Sequence, residues 1–259
     1  MKTLLWQEGF KLLRKKSTYW VTIVLAGLVF GSALLSRMYP KTFPAQLFFT
    51  SSFGATTWVV FVMIAACATS LSMEFQYGTI KELICQQYSR ETILISKWLI
   101  MLAYSIYLYA MTGVVALLGK IVLVNDKFSL GDTGTYTYHL TFLEQWLATI
   151  GSSFITLWFI LSIVFLFATL FRTSTTAVTV GIVMFFTFNI ISTLMFKLID
   201  KYHWFKWNPF NFLNYSNQIV DPTRHTLTLL SDNQLFFGSL VYTLFFLCIG
   251  LLFFRRRNV

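Results

Sequence analysis

Six stretches of this chain run for 20 residues or more without a single Asp, Glu, Lys or Arg: 17–36, 42–73, 98–119, 145–171, 173–196 and 233–254. A helix needs about 20 apolar residues to cross a hydrocarbon layer about 30 Å thick. Only helices and closed barrels satisfy their backbone in lipid. Barrel strands alternate apolar and polar over about ten residues, and these runs do not alternate. The expected fold is therefore an all-α integral membrane protein with six spans, near 18–38, 53–73, 97–124, 146–171, 175–196 and 235–254, in one domain over 1–259. The second run is too long for one span. Pro44 and the polar Thr50, Ser51 and Ser52 place its helix start near Phe53.

Composition supports this. Charged residues are 12% of the chain, about half the usual share in soluble domains, and the mean hydropathy is +0.67. A soluble enzyme, a disordered regulator and a secreted disulfide scaffold are disfavoured together. Cys67, Cys85 and Cys248 form no metal or disulfide spacing, so they are expected to be small buried apolar residues.

An even number of spans puts both termini on one side. That side carries twelve Lys and Arg against eight on the other, which has more residues. The positive-inside rule then places both termini in the cytoplasm. The net charge of +10 reflects topology and contact with anionic headgroups, not a nucleic-acid partner. The start lacks the short apolar run and small-residue site of a cleaved leader, so the first span is expected to be retained in a plasma-membrane protein.

Three extramembrane segments have their own patterns. In 1–16, Trp6, Phe10 and Leu13 share one helical face beside Gln7, Lys11, Arg14 and Lys15, which suits an amphipathic helix in the interface. In 74–96, Gly78 is expected to break the helix leaving the membrane. Thr79 with Glu82 forms a capping-box pattern; Ile80, Leu83 and Ile84 share the face of a short helix; Ser89, with Thr92 three residues on, caps the next one. Such a helix can carry force between membrane and partner. The third segment, 197–232, is rich in aromatics and breaks at Asn208-Pro209. It is expected to form short interfacial or re-entrant helices, either as an aromatic anchor or as an external gate at Trp204, Trp207, Asn208, Pro209, Phe210 and Phe212. The loop over 125–144 is expected to be polar and external.

The chain shows no phosphate-binding loop. Its nearest string, Gly113 to Ile121, has the wrong spacing and lies in an apolar run. His139, His203 and His225 fit no metal or nucleophile motif. The span centres carry no charge of the kind kept for ion pathways. Glu74, Lys97 and Arg172 are expected to snorkel at the cytoplasmic ends. Polar uncharged residues such as Thr69, Ser152, Ser153, Thr156, Ser162, Asn189, Ser192 and Thr193 either bond across helices or line a path.

At 74–97 the sequence resembles the loop between the second and third spans of ABC-2-type transporter permeases, the membrane subunits of bacterial ABC exporters. The residues that carry the resemblance are Glu74, Gly78, Thr79, Ile80, Lys81 and Leu83, followed by Ser89, Arg90 and Lys97, with a weaker echo in Asn208-Pro209-Phe210. The order of parts is also similar. The resemblance implies a non-catalytic permease that binds no cofactor itself. It pairs with a second, identical or homologous permease and with two copies of a separate ATP-binding subunit that uses ATP and Mg. The segment from Thr79 to Tyr88 would be the coupling helix, with Glu74 and Gly78 setting the bend into it and Arg90 and Lys97 orienting the return. The cargo would be an amphipathic antimicrobial peptide, drug or lipid-like molecule. An intramembrane lipid enzyme using His139 or His203, and a non-transporting immunity or sensor protein, remain as alternatives.

Overall fold

A computed structural model describes residues 2–79, 88–133, 140–171 and 173–256. Among these, all regular structure is helical. Helix α1 (Lys2–Arg14) leads almost directly into α2 (Lys16–Met38), the first span. A short helix α3 (Ala45–Thr50) precedes α4 (Ala55–Gln76). Then come α5 (Arg90–Leu123), α6 (Phe142–Ala168) and α7 (Ser174–Lys201). Short turns of helix fill 203–228, including α8 (Tyr215–Val220) and α9 (His225–Thr228). The last span is α10 (Asp232–Arg256).

Six of these helices are long and apolar enough to cross a membrane. Their bounds differ from expectation by a few residues, for local reasons. The second span starts late because Ser52, Phe53 and Gly54 all have positive φ and form a tight corner after α3. The third starts early because the Ser89 hydroxyl accepts from Thr92 N and caps it. The fourth also starts early, at a reciprocal capping box between Thr141 and Glu144. The fifth continues past Phe196 through Lys197, Asp200 and Lys201, since a helix has no reason to stop where the apolar run stops.

Helix α6 is the axis of the bundle. In its most apolar stretch 56% of residues are buried, against 17% in α2 and 11% in α7. It packs on α10 and α4, while α2 lies against α5 and α7 against α4. Small residues allow the close approaches. A Cβ on Gly181 would sit 2.8 Å from Ile64 Cγ2, so this glycine sets the α4–α7 contact. The loop after α5 is less polar than expected, because Val124 and Phe128 are buried in an apolar cluster with Phe49, Phe142 and Trp146. Cys67 is buried as expected, but Cys248 is exposed on the outer face of α10; Cys85 lies outside the described residues.

The intramembrane hydroxyls mostly turn inward on their own helices. Thr69, Ser152, Thr156, Ser162 and Thr193 each donate to a carbonyl three or four residues earlier. Others tie elements together: Ser153 to Ser216, Ser105 to Trp158, and Ser192 to Asn214.

Candidate functional site

Three elements meet at the end of the bundle that carries α1. Helix α1 lies on α5, with Gly9 against Ile100. Its inward face is Leu4, Glu8 and Leu12. Leu4 is fully buried among Leu71, Ile93, Leu94, Ala168 and Phe254. Trp6, Phe10 and Leu13 form the opposite face and are exposed, as the amphipathic pattern requires. Arg14 stacks over Phe10 at 4.9 Å.

The inward face carries the charge that organises the site. Lys97 Nζ donates to Glu74 Oε1 at 2.7 Å and to Glu8 Oε2 at 3.0 Å. Lys11 Nζ donates to Glu8 Oε1 at 2.7 Å and lies 3.7 Å from Glu74 Oε1. Lys97 is 1% exposed, so the expectation that Lys97 and Glu74 reach out to water is corrected: they reach each other. Both are buried in protein, and the pairing satisfies what snorkelling would otherwise have to. Burial pushes the Glu8 carboxyl up, but Lys97 and Lys11 outweigh it and hold it below its ordinary range. Burial likewise depresses the Lys11 ammonium, and Glu8 with Glu74 raises it above its usual value.

Glu8 escaped the sequence reading. It is the only acidic residue before Glu74, set among five basic ones and four residues from both Leu4 and Leu12. That isolation was the available signal.

The network borders the break between the second and third spans. Gly78 has φ +72°, a left-handed conformation that glycine adopts without penalty, and the helix from α4 ends there. Thr79 follows, half-buried. Ile80, Lys81, Glu82, Leu83 and Ile84 lie outside the described residues. Beyond them, Tyr88 packs in the Leu4 cluster. Arg90 donates to Arg255 O at 3.0 Å, and Arg255 pairs with Glu91 at 3.1 Å, which fixes the start of α5 to the end of α10. Lys15 sits at the α1–α2 junction and is exposed.

The sequence matches a known family over most of its length. Residues 4–190 fit the family model described as ABC-2 family transporter protein. The chain belongs to that family. It is also similar to the uncharacterized membrane protein YdbK of Bacillus subtilis (strain 168), with 27% identity across 96% of this chain and 99% of that one. An ABC-2 chain is a membrane component of transport and not itself the catalyst, and such chains usually work with an ABC ATPase.

The opposite end divides the residues expected at a gate. Trp204 is 75% exposed and Trp207 48%. Asn208 donates to Phe205 O and accepts from Asn211 N, so it caps a turn; Pro209 and Phe210 are half-buried beside it. Phe212 is fully buried and packs on Tyr242. A Cβ on Gly238 would stand 2.0 Å from its ring. Phe212 is thus a wedge that seats this segment on α10. The neighbours Asn211, Asn214, Gln218 and Thr228 are buried and bonded to one another's surroundings, with Gln218 donating to Leu230 O and Asp232 Oδ1. A cavity of about 180 Å³ lies below this cap, lined by Thr56, Thr57, Ser153, Thr156, Asn189 and Ser216 among others, none of them charged. His203 is exposed, with Nδ1 3.4 Å from Ile199 O. No group of acidic, His or Cys residues that could hold a metal occurs among the described residues.

Proposed function

We propose that this chain is the permease subunit of an ATP-driven exporter, with both termini in the cytoplasm of a bacterial cell. Two copies of a separate ATPase, which binds ATP and Mg, would dock beneath two permeases, this chain and an identical or homologous partner. The observation that carries the reading is the buried Glu8–Lys97–Glu74 junction. It joins the interfacial helix, the end of the second span and the start of the third, beside the segment 79–88 where an ATPase would press. Lys97 is the partner common to both carboxylates, and pulling it away leaves buried charge uncompensated, at a cost of about 3–5 kcal/mol. The three elements therefore favour moving together, so a push on the segment tilts spans instead of bending a loop.

The rest of the bundle suits transport by alternating access. Helices α2 and α7 carry the least-buried faces and are the surfaces available to a second permease. The uncharged, hydroxyl-lined cavity at the far end offers hydrogen bonds to a passing amphipathic cargo without trapping a charge. Exposed Trp204 and Trp207 would flank its exit.

The test is purification of the tagged chain from native membranes in mild detergent, with mass spectrometry of its companions. A near-stoichiometric protein bearing a nucleotide-binding loop is expected, and Gly78→Pro or Lys81→Glu should then uncouple ATP hydrolysis from transport without preventing insertion. A chain recovered alone, both after gentle extraction and after cross-linking, would sink the assignment.

A further inference from the structure

A cavity of about 580 Å³ opens between α1, α4 and the start of α5, a size within the range of about 300–1,000 Å³ typical of small-ligand sites. Gln7, Lys11 and Lys15 line one side; Leu12, Met73 and Ile100 are among the apolar walls. The lining also contains the paired Glu8, Glu74 and Lys97, so three lysines stand against two carboxylates. The surplus positive charge falls to Lys11 and Lys15. Lys97 is buried and spends two of an ammonium's three donors on its carboxylates, whereas Lys11 is exposed, spends one on Glu8 and lies 3.7 Å from Glu74. Lys15 is exposed.

We propose that this cavity binds one anionic phospholipid of the surrounding leaflet, with its phosphate between Lys11 and Lys15 and an acyl chain along Leu12, Met73 and Ile100. A soluble anion would have no use for the apolar walls, and a neutral lipid would leave the surplus charge unanswered. The helix that forms the rim presents Trp6, Phe10 and Leu13 outward, which sets the lysines at headgroup depth. The lipid would brace α1 against α4 and α5 beside the ion network. The proposal needs α1 at the membrane surface and not the transport reading, so each can fail alone.

The test is native mass spectrometry of the full chain, with whatever partners it retains, in mild detergent with added phosphatidylglycerol or phosphatidylcholine. One phosphatidylglycerol should be retained per chain and phosphatidylcholine should be lost. Lys15→Gln should weaken retention about fivefold, the effect of one lysine near an anionic surface. Lys2→Gln, on α1 but outside the cavity, should change nothing. Excess glycerol phosphate, the headgroup without its chains, should not compete. Equal retention of the two lipids would overturn the proposal, since the docking would then be apolar alone. An equal loss with Lys2→Gln would also overturn it, as diffuse attraction. Displacement by glycerol phosphate would point to a soluble phosphate ligand instead, and no retained lipid would mean that protein fills the space.

Discussion

At the α1 end, one buried lysine holds two carboxylates from two other helices. At the far end, Asn211, Asn214, Gln218 and Thr228 hold the segment after α7 through amide and hydroxyl bonds, with Asp232 the charged participant. The two fastenings respond differently to displacement. Coulomb attraction falls slowly with distance, whereas a neutral hydrogen bond weakens steeply once its angle or length departs from ideal. Elements joined by charge can slide and stay bound; elements joined by amides hold their geometry or let go. The α1 end is therefore suited to movement and the far end to a fixed cap.

The largest expected effect breaks the charged end. Lys97→Met leaves Glu8 and Glu74 buried without their common partner and should destabilise the protein by about 3–5 kcal/mol. Thermal unfolding in detergent should show a large drop in midpoint, with Lys97→Arg recovering part of it. A Met variant as stable as wild type would mean that the carboxylates are simply hydrated.

Gly238→Ala strikes the far end instead. Its Cβ would collide with the Phe212 ring, and overpacking of this kind costs about 1–3 kcal/mol. Phe212→Leu should relieve it in the double variant, measured by the same unfolding. Lack of rescue would show that Phe212 is not the wedge.

How much of this was legible depended on range. Six spans, the Gly78 break and the Ser89 cap rest on contiguous residues and could be read directly. The exposed Trp6–Phe10–Leu13 face followed from helical periodicity. The ion network did not, because Glu8 and Lys97 are 89 residues apart and only packing brings them together. A charge near a span end has two solutions, water or a partner, and local sequence does not choose between them. The seat of Phe212 against Gly238 was hidden for the same reason. An aromatic in an outer loop looks alike whether it faces lipid or a glycine on another helix.

The third prediction sharpens the contrast in cooperativity. Gln218→Leu removes donors to Leu230 O and Asp232 and an acceptor for Thr228. It should cost about 1–3 kcal/mol, as buried groups lose their partners. Protease cleavage after Lys206 or Arg224 should speed up, while cleavage near Arg14 stays unchanged. Gly78→Ala is milder, since an alanine at left-handed φ costs about 1–2 kcal/mol. It should lower coupled transport more than stability. Equal losses of both would make Gly78 an ordinary structural turn.

The smallest effect is on pH, and it separates the two ends. The Glu8 carboxyl is held below its ordinary value of 4.5 by Lys97 and Lys11, against the opposing effect of burial. A depressed carboxyl contributes stability that is complete above the unfolded value and lost as pH falls through the folded one. The groups facing it, Lys11, Lys97 and Glu74, supply two positive charges and one negative. Lys11, raised above 10.5, stays charged throughout this range. Wild type should therefore exceed Glu8→Gln in thermal midpoint at neutral pH, with the gap closing as pH falls below 4.5. The contact of Gly238 with Phe212 holds no titratable group, so the deficit of Gly238→Ala should keep its size over the same interval. A Glu8→Gln gap that persists unchanged into acid would mean that its cost is packing and not charge, and the contrast between the two fastenings would fail at its charged end.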